Sequence, residues 1–155
     1  MSVADLFDDA RARLSEVPRE HLGEIVQPKR ILGVARAVRV APRGHVWRLG
    51  VLLVGDDGVY SVGDVIRARA EVRRGFTAEA QRHRAEVAAA ARRGGFEEGA
   101  VVHLGWTPID LTAVQAGRVS GPLATIDGVV SVRWSAGGGY VPLEAYVEER
   151  LGLAG

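Results

Sequence analysis

Residues 31–72 read ILGVARAVRV–APRG–HVWRLGVLLV–GDDG–VYSVGDVIRARAEV, and the fold turns on how this stretch is divided. Two clusters of turn-forming residues, Ala41-Pro42-Arg43-Gly44 and Gly55-Asp56-Asp57-Gly58, separate three apolar runs. Proline fixes φ, aspartate bonds its own backbone, and glycine accepts positive φ, so both clusters suit tight reversals. Extended runs joined by short loops predict antiparallel strands over Ile31–Val40, His45–Val54 and Val59–Val72.

Pairing Val40 with His45 and Val54 with Val59 sets the register. One face then collects Leu32, Val34, Val38 and Val40, then Trp47, Leu49, Val51 and Leu53, then Tyr60, Val62, Ile66 and Ala68. A slip of one residue would scatter these groups to both faces. Arg36 and Asp64 interrupt the apolar face, each opposite Leu49 and one strand apart, within reach of a long arginine side chain. They form either an ion pair at the core edge or, with His45 beside Val40 and Ala68, a polar pocket for a small ligand. Gly63 is a candidate bulge that would redirect Asp64. The other face carries Arg39, Arg48, Arg67 and Arg69 among small residues such as Gly33, Ala35, Ala37 and Gly50.

Charge follows the same division. The net charge of +1 resolves into −3 over residues 1–27, +8 over 28–93 and −4 over 94–155. Such segregation marks either an anion-binding surface or acidic terminal segments lying across a basic sheet. Arg73 and Arg74 extend the basic run beyond the third strand. Arg39, Arg48, Arg67, Arg69, Arg73 and Arg74 are therefore the candidate anion-binding set, with RNA or an acidic protein as the expected partner.

Outward from the centre, Ser2 and Asp5 fit a capping box opening a helix to Leu14, whose stripe is Leu6, Phe7, Ala10 and Leu14. Pro18 to Pro28 reads as an irregular connector with a surface His21. His21 and Glu24 would share a helix face, but zinc wants a third ligand and usually a fourth. Thr77 caps a helix from about Ala78 to Arg93 that buries Ala80, Val87, Ala88 and Ala91. Gly94-Gly95 stops it, and Phe96 supplies the apolar contact after the cap. Ala100–Trp106 is a strand with Val102, Leu104 and Trp106 on one side and His103 on the other. Residues 112–121 read as a loop. Asp127-Gly128 joins Leu123–Ile126 to Val129–Trp134 as a two-residue hairpin, with Val130, Val132 and Trp134 on one face. The glycines at 137–139 precede a final helix over Pro142–Leu151 with the stripe Leu143, Tyr146, Val147 and Leu151. A glycine run before a helix start is also a place for an anion.

The expected fold is α+β: one domain of 155 residues, a mainly antiparallel sheet of five to seven strands, a long middle helix and a helix at each terminus. The absence of cysteine removes disulfides, thiolate nucleophiles and Cys-ligated zinc. No Ser-x-x-Lys, Gly-x-Ser-x-Gly or His-Glu-x-x-His motif occurs, and the histidines fall at 21, 45, 83 and 103. No metal site and no cofactor is expected. No apolar run is long enough for a membrane helix, and the N-terminus lacks a basic-then-apolar leader, so the expectation is a cytoplasmic protein without a membrane partner. An apolar sheet edge would allow a homodimer. Nineteen arginines against one lysine, Lys29, match the codon bias of a high-GC bacterial genome.

Three stretches, Pro18–Val26 (PREHLGEIV), His103–Trp106 (HLGW) and Arg133–Tyr146 (RWSAGGGYVPLEAY), resemble a group of short proteins from high-GC bacteria. The resemblance spans nearly the whole chain and implies no activity. The expected function is that of a non-enzymatic binding protein, with the Arg36, Asp64 and His45 pocket as the alternative.

Overall fold

In the computed structural model, residues 1–70 and 78–154 are described. The elements run α1 (Val3–Arg13), β1 (Glu20–Val26), β2 (Arg39–Leu49), β3 (Leu52–Gly55), β4 (Val59–Ser61), β5 (Asp64–Arg67), α2 (Glu79–Arg93), β6 (Val101–Leu104), β7 (Thr107–Pro108), α3 (Leu111–Gln115), β8 (Leu123–Ile126), β9 (Val129–Arg133), β10 (Tyr140–Pro142) and α4 (Leu143–Ala154). The protein is α+β and mostly antiparallel, with a seven-stranded and a three-stranded sheet, the long middle helix α2 and the terminal helices α1 and α4.

Contacts divide the chain into two compact units. Met1–Arg19, Val46–Val62 and Trp106–Gly155 form one, and Glu20–His45 and Gly63–Gly105 form the other. Strand β2 passes from the second into the first between His45 and Val46. The first unit holds strand order β2-β3-β4-β7 and the separate sheet β10-β9-β8, and the second holds β5-β6-β1-β2.

In the first unit α1 begins at Ser2, whose hydroxyl accepts from the Asp5 amide while the Asp5 carboxylate accepts from the Ser2 amide. The helix buries Val3, Phe7 and Ala10. They join Leu14, Trp47, Leu49, Leu52, Val54, Val59, Leu123, Val132, Leu143, Tyr146 and Val147 in one apolar core. Trp47 donates its indole N–H to the Val17 carbonyl at 2.8 Å, and the Arg19 guanidinium lies 4.5 Å from the ring centroid. The Asp127-Gly128 hairpin forms as expected, with Ile126 opposite Val129 and φ of 50° and 79° at the two turn residues. Trp134 follows β9 and is half exposed, so it does not share the buried face of Val132. Residues 112–121 are not all loop, because the Asp110 carboxylate caps the short helix α3. The glycine run joins β9 to β10 and does not abut a helix start.

The second unit has its own core of Val40, Ala68, Ala90, Ala91, Phe96, Val102 and Leu104, with Val38, Ile66 and Val87 packed on it. Helix α2 buries Ala88 through Ala91 and leaves Ala80 exposed. It closes with two interlocked bonds, Gly95 amide to Arg92 carbonyl and Phe96 amide to Ala91 carbonyl, both about 3.1–3.2 Å. This is the glycine-terminated cap that Gly94-Gly95 promised. The expected cap at Thr77 lies outside the described residues, as do Arg73 and Arg74.

The three-strand ribbon over residues 31–72 is corrected in three places. The expected strand Val59–Val72 is broken after Ser61: β4 pairs with β3, whereas β5 pairs antiparallel with β6, and residues 71–72 lie outside the described residues. No reversal occurs at residues 41–44: β2 runs straight through them, with Gly44 at φ 138° in a region that favours glycine. The reversal falls instead at Gly50-Val51, with Leu49 opposite Leu52 and Gly50 at φ 62°. Residues 31–38 belong to no strand apart from an Ile31–Val34 bridge. The pairing of Val54 with Val59 and of Leu53 with Tyr60 is as expected. The single apolar face is thereby broken up. Val34 is exposed, Trp47 lies in the core of the first unit, and Ile66 packs on the core of the second. The supposed connector 18–28 contains β1, which pairs parallel to β6 with His21 opposite Val102 and Leu22 opposite His103. Gly23 belongs in this strand because a Cβ there would come within 2.6 Å of both the Val40 and Val102 side chains.

Candidate functional site in the basic unit

Charge divides along the two units. The ranges Glu20–His45 and Gly63–Gly105 contain thirteen Lys and Arg against eight Asp and Glu, net +5, and all four histidines. The remaining ranges contain seven Arg against eleven acids, net −4. In the acidic unit the arginines of the N-terminal segment are ion-paired. Arg13 is bidentate to Glu148 at 2.6 and 2.9 Å, Arg19 meets Asp56 at 2.7 Å, and Arg11 meets Asp8 at 2.8 Å. The Glu148 carboxylate is held below its usual range, chiefly by its hydrogen bond to Arg13.

In the basic unit two of the described cations are ion-paired, and most of the others are not. Arg43 pairs with Glu24 at 2.6 Å and Arg92 approaches Glu98 at 3.5 Å. Arg93 gives two hydrogen bonds to the Val38 carbonyl, at 3.0 and 2.8 Å, and Arg67 reaches the Gly99 carbonyl at 3.4 Å. A carbonyl partner orders the guanidinium and leaves its charge uncompensated. Lys29, Arg30, Arg36, Arg39, Arg69, Arg82 and Arg84 are exposed, and their side chains form no ion pair or hydrogen bond among the described residues.

The candidate arginines are therefore not one set. Arg39 opens β2, Arg67 ends β5, and Arg69 follows it, its amide bonded to the Ala88 carbonyl of α2 at 3.1 Å. These three belong to the basic unit together with the helix that carries Arg82 and Arg84. Arg48 sits in the acidic unit, where its Nε donates to the Gly50 carbonyl at 3.1 Å. The alternative pocket is not assembled as expected. Arg36 lies outside any strand, and its backbone carbonyl accepts from Gln27 at 3.0 Å. Asp64 is exposed on β5 opposite Leu104, and no Arg36–Asp64 ion pair forms among the described residues.

His45 has a partner that sequence spacing did not suggest. Its ring centroid is 5.0 Å from that of His21, and the His21 ring stacks edge-on against Phe96 at 5.2 Å. The His21 pKa is lowered, first by burial and then by the His45 charge, with Glu97 opposing. On β1 alternate residues face opposite ways, so Glu20 and Leu22 share the face of His103. His103 is fully buried, its Nε2 is 3.0 Å from a Glu20 carboxylate oxygen, and its Nδ1 has no hydrogen-bond partner among the described residues. These groupings depend on β1 being a strand parallel to β6. The alternation of His21-Leu22-Gly23 toward the β-branched Ile25-Val26 was a local signal for a strand, though not for its partner.

Among the described residues no group of three His, Asp or Glu side chains is arranged to hold a metal ion. An open groove of about 410 Å³ lies in the acidic unit, lined by Ser2, Ala4, Leu111, Thr112, Gln115 and Ala116, and no candidate side chain borders it. What the basic unit presents is uncompensated positive charge on an ordered helix and strand. No protein-family model, curated protein or solved structure matches the chain.

Proposed function

We propose that the protein is a binding protein whose basic unit holds an anionic partner, RNA or an acidic protein. One observation carries this reading: exposed cations of the basic unit, Arg39, Arg69, Arg82 and Arg84, have no protein partner among the described residues, whereas Arg11, Arg13 and Arg19 of the acidic unit are ion-paired. A folded domain seldom gains stability from exposed like charges, and an anionic ligand would offset their repulsion. Backbone bonds from Arg69 to α2 and side-chain bonds from α2 to Val38 hold the β2 start, the β5 end and the helix in fixed relation. That rigidity lowers the entropic cost of binding.

Fluorescence anisotropy with a labelled single-stranded RNA tests the proposal. Affinity should fall steeply with salt, with a log–log slope of about −0.7 per phosphate contact. Changing Arg39, Arg67 and Arg69 together to Glu should abolish binding while the circular dichroism spectrum is retained. Affinity that survives the triple change, or that ignores salt, overturns the reading. A poly-glutamate probe run in parallel separates a general polyanion surface from one that prefers nucleic acid.

A further inference from the structure

The segment between β1 and β2 contains three cations, Lys29, Arg30 and Arg36, with Arg39 and Arg43 following in β2, and residues 27–43 contain no acid. At its tip Ile31 and Val34 exchange backbone hydrogen bonds of 3.3 and 3.0 Å, and Leu32 and Gly33 form the reversal with φ of 53° and 77°. Positive φ at both central residues is the geometry of a tight hairpin, and leucine is a poor occupant of it. Yet Leu32 buys no burial in return: it is 97% exposed, with Val34 at 66% and Ile31 at 56%. Among the described residues a Cβ on Gly33 would meet nothing within 4 Å, so the tip projects away from them. The base is tied, by the Gln27 amide on the Arg36 carbonyl and by Arg93 on the Val38 carbonyl.

An anchored loop therefore presents three adjacent large aliphatic side chains, one on a strained backbone, flanked on both sides by unpaired cations. Folding explains neither the exposure nor the strain. Such features mark a contact surface. An RNA offers phosphates but little for aliphatic groups to enter. A lipid interface offers both, headgroup charge at one level and an apolar layer just beneath it.

We propose that the Ile31–Val34 tip is a membrane-contact finger: Ile31, Leu32 and Val34 enter the headgroup–acyl boundary of an anionic bilayer, and Lys29, Arg30 and Arg36 bind the headgroups around it. Such surface contact needs no spanning helix, and no helix among the described residues is long and apolar enough to cross a membrane. The proposal uses none of the three arginines tested for RNA and stands apart from the polyanion reading.

The native chain has no cysteine, so Leu32→Cys carries a polarity-sensitive dye at the tip alone. The labelled full chain is mixed with phosphatidylcholine vesicles and with vesicles that also contain phosphatidylserine. A blue shift with the anionic vesicles only is expected. In co-sedimentation, Leu32→Asn should weaken binding to anionic vesicles about tenfold, and each of Lys29→Gln, Arg30→Gln and Arg36→Gln about fivefold. Asparagine tolerates positive φ, so Leu32→Asn keeps the fold, which thermal unfolding checks. No binding to anionic vesicles overturns the proposal. So does vesicle binding that Leu32→Asn leaves intact, which would be adsorption by charge alone. RNA binding that depends on Leu32 without any vesicle binding would give the tip to nucleic acid and equally overturn it. RNA binding retained without vesicle binding rejects the finger and leaves the polyanion reading standing.

Discussion

The Tyr146 hydroxyl occupies the place that a side chain on Gly50 would take. It accepts the Val51 amide hydrogen at 3.0 Å, and a Cβ on Gly50 would collide with it. The β2–β3 reversal is thus locked by a residue from α4, 96 positions later in the chain. Gly50→Ala should destabilise the protein by more than about 1–2 kcal/mol, from positive φ alone, with the collision added. Tyr146→Phe should cost about 1 kcal/mol through the lost hydrogen bond. The double variant should be more stable than the sum of the two losses implies, because removing the hydroxyl relieves the collision. Urea unfolding of the four proteins checks this, and strict additivity would refute it.

Trp47 links its core to the segment before β1. Trp47→Phe keeps most of the apolar volume but leaves the Val17 carbonyl without its 2.8 Å donor. A loss of about 1–3 kcal/mol is expected by urea unfolding. A neutral result would mean that water replaces the indole N–H at no cost.

Leu32 carries backbone strain without compensating burial, so Leu32→Asn should raise stability by about 0.5–1 kcal/mol. The melting temperature should rise by a few degrees. A lowered melting temperature would show that the leucine side chain contributes to folding despite its exposure.

His21 makes stability depend on pH. Its folded-state pKa lies below the ordinary 6.5, mainly through burial and then through the His45 charge. The unfolded chain therefore binds the extra proton more readily, and stability falls as pH drops from about 6.5 toward the lower folded value. Urea midpoints near pH 7.5 and pH 5.5 should differ less for His21→Gln than for the native protein. His45→Gln removes a repelling cation and should move the His21 titration upward, as read by the histidine ring protons in NMR. An unchanged or lower value would contradict the proximity of the two rings.

Much of the local structure was legible in the chain. Ser2 and Asp5 announce α1 because a capping box satisfies helix amides within one turn. Gly94-Gly95 and Phe96 announce the end of α2, and Asp127-Gly128 announces a hairpin, because positive φ is cheap only for a few residue types. The Val54–Val59 register followed from Gly55 to Gly58 for the same reason. The candidate site was legible only in part. The basic character of residues 28–93 was plain, but Arg48 falls in the other unit and Arg36 outside the sheet.

What the sequence determined by itself was whatever a few neighbouring residues decide energetically: caps, the Asp-Gly and Gly55–Gly58 reversals, the helical stripes and the sum of charge. Only the tertiary structure decided where the apolar run His45–Val54 bends. Both Gly44 and Gly50 permit a reversal; it falls at Gly50, where Tyr146, distant in the chain, packs on it and accepts the Val51 amide hydrogen. Likewise β1 is a strand because β6 lies beside it in parallel, a pairing that no short turn encodes. That pairing sets His103 against Glu20, and the same fold brings His21 to His45. Contacts between residues far apart in the chain owe their stability to packing that exists only once both partners are in place, so local sequence carries no record of them.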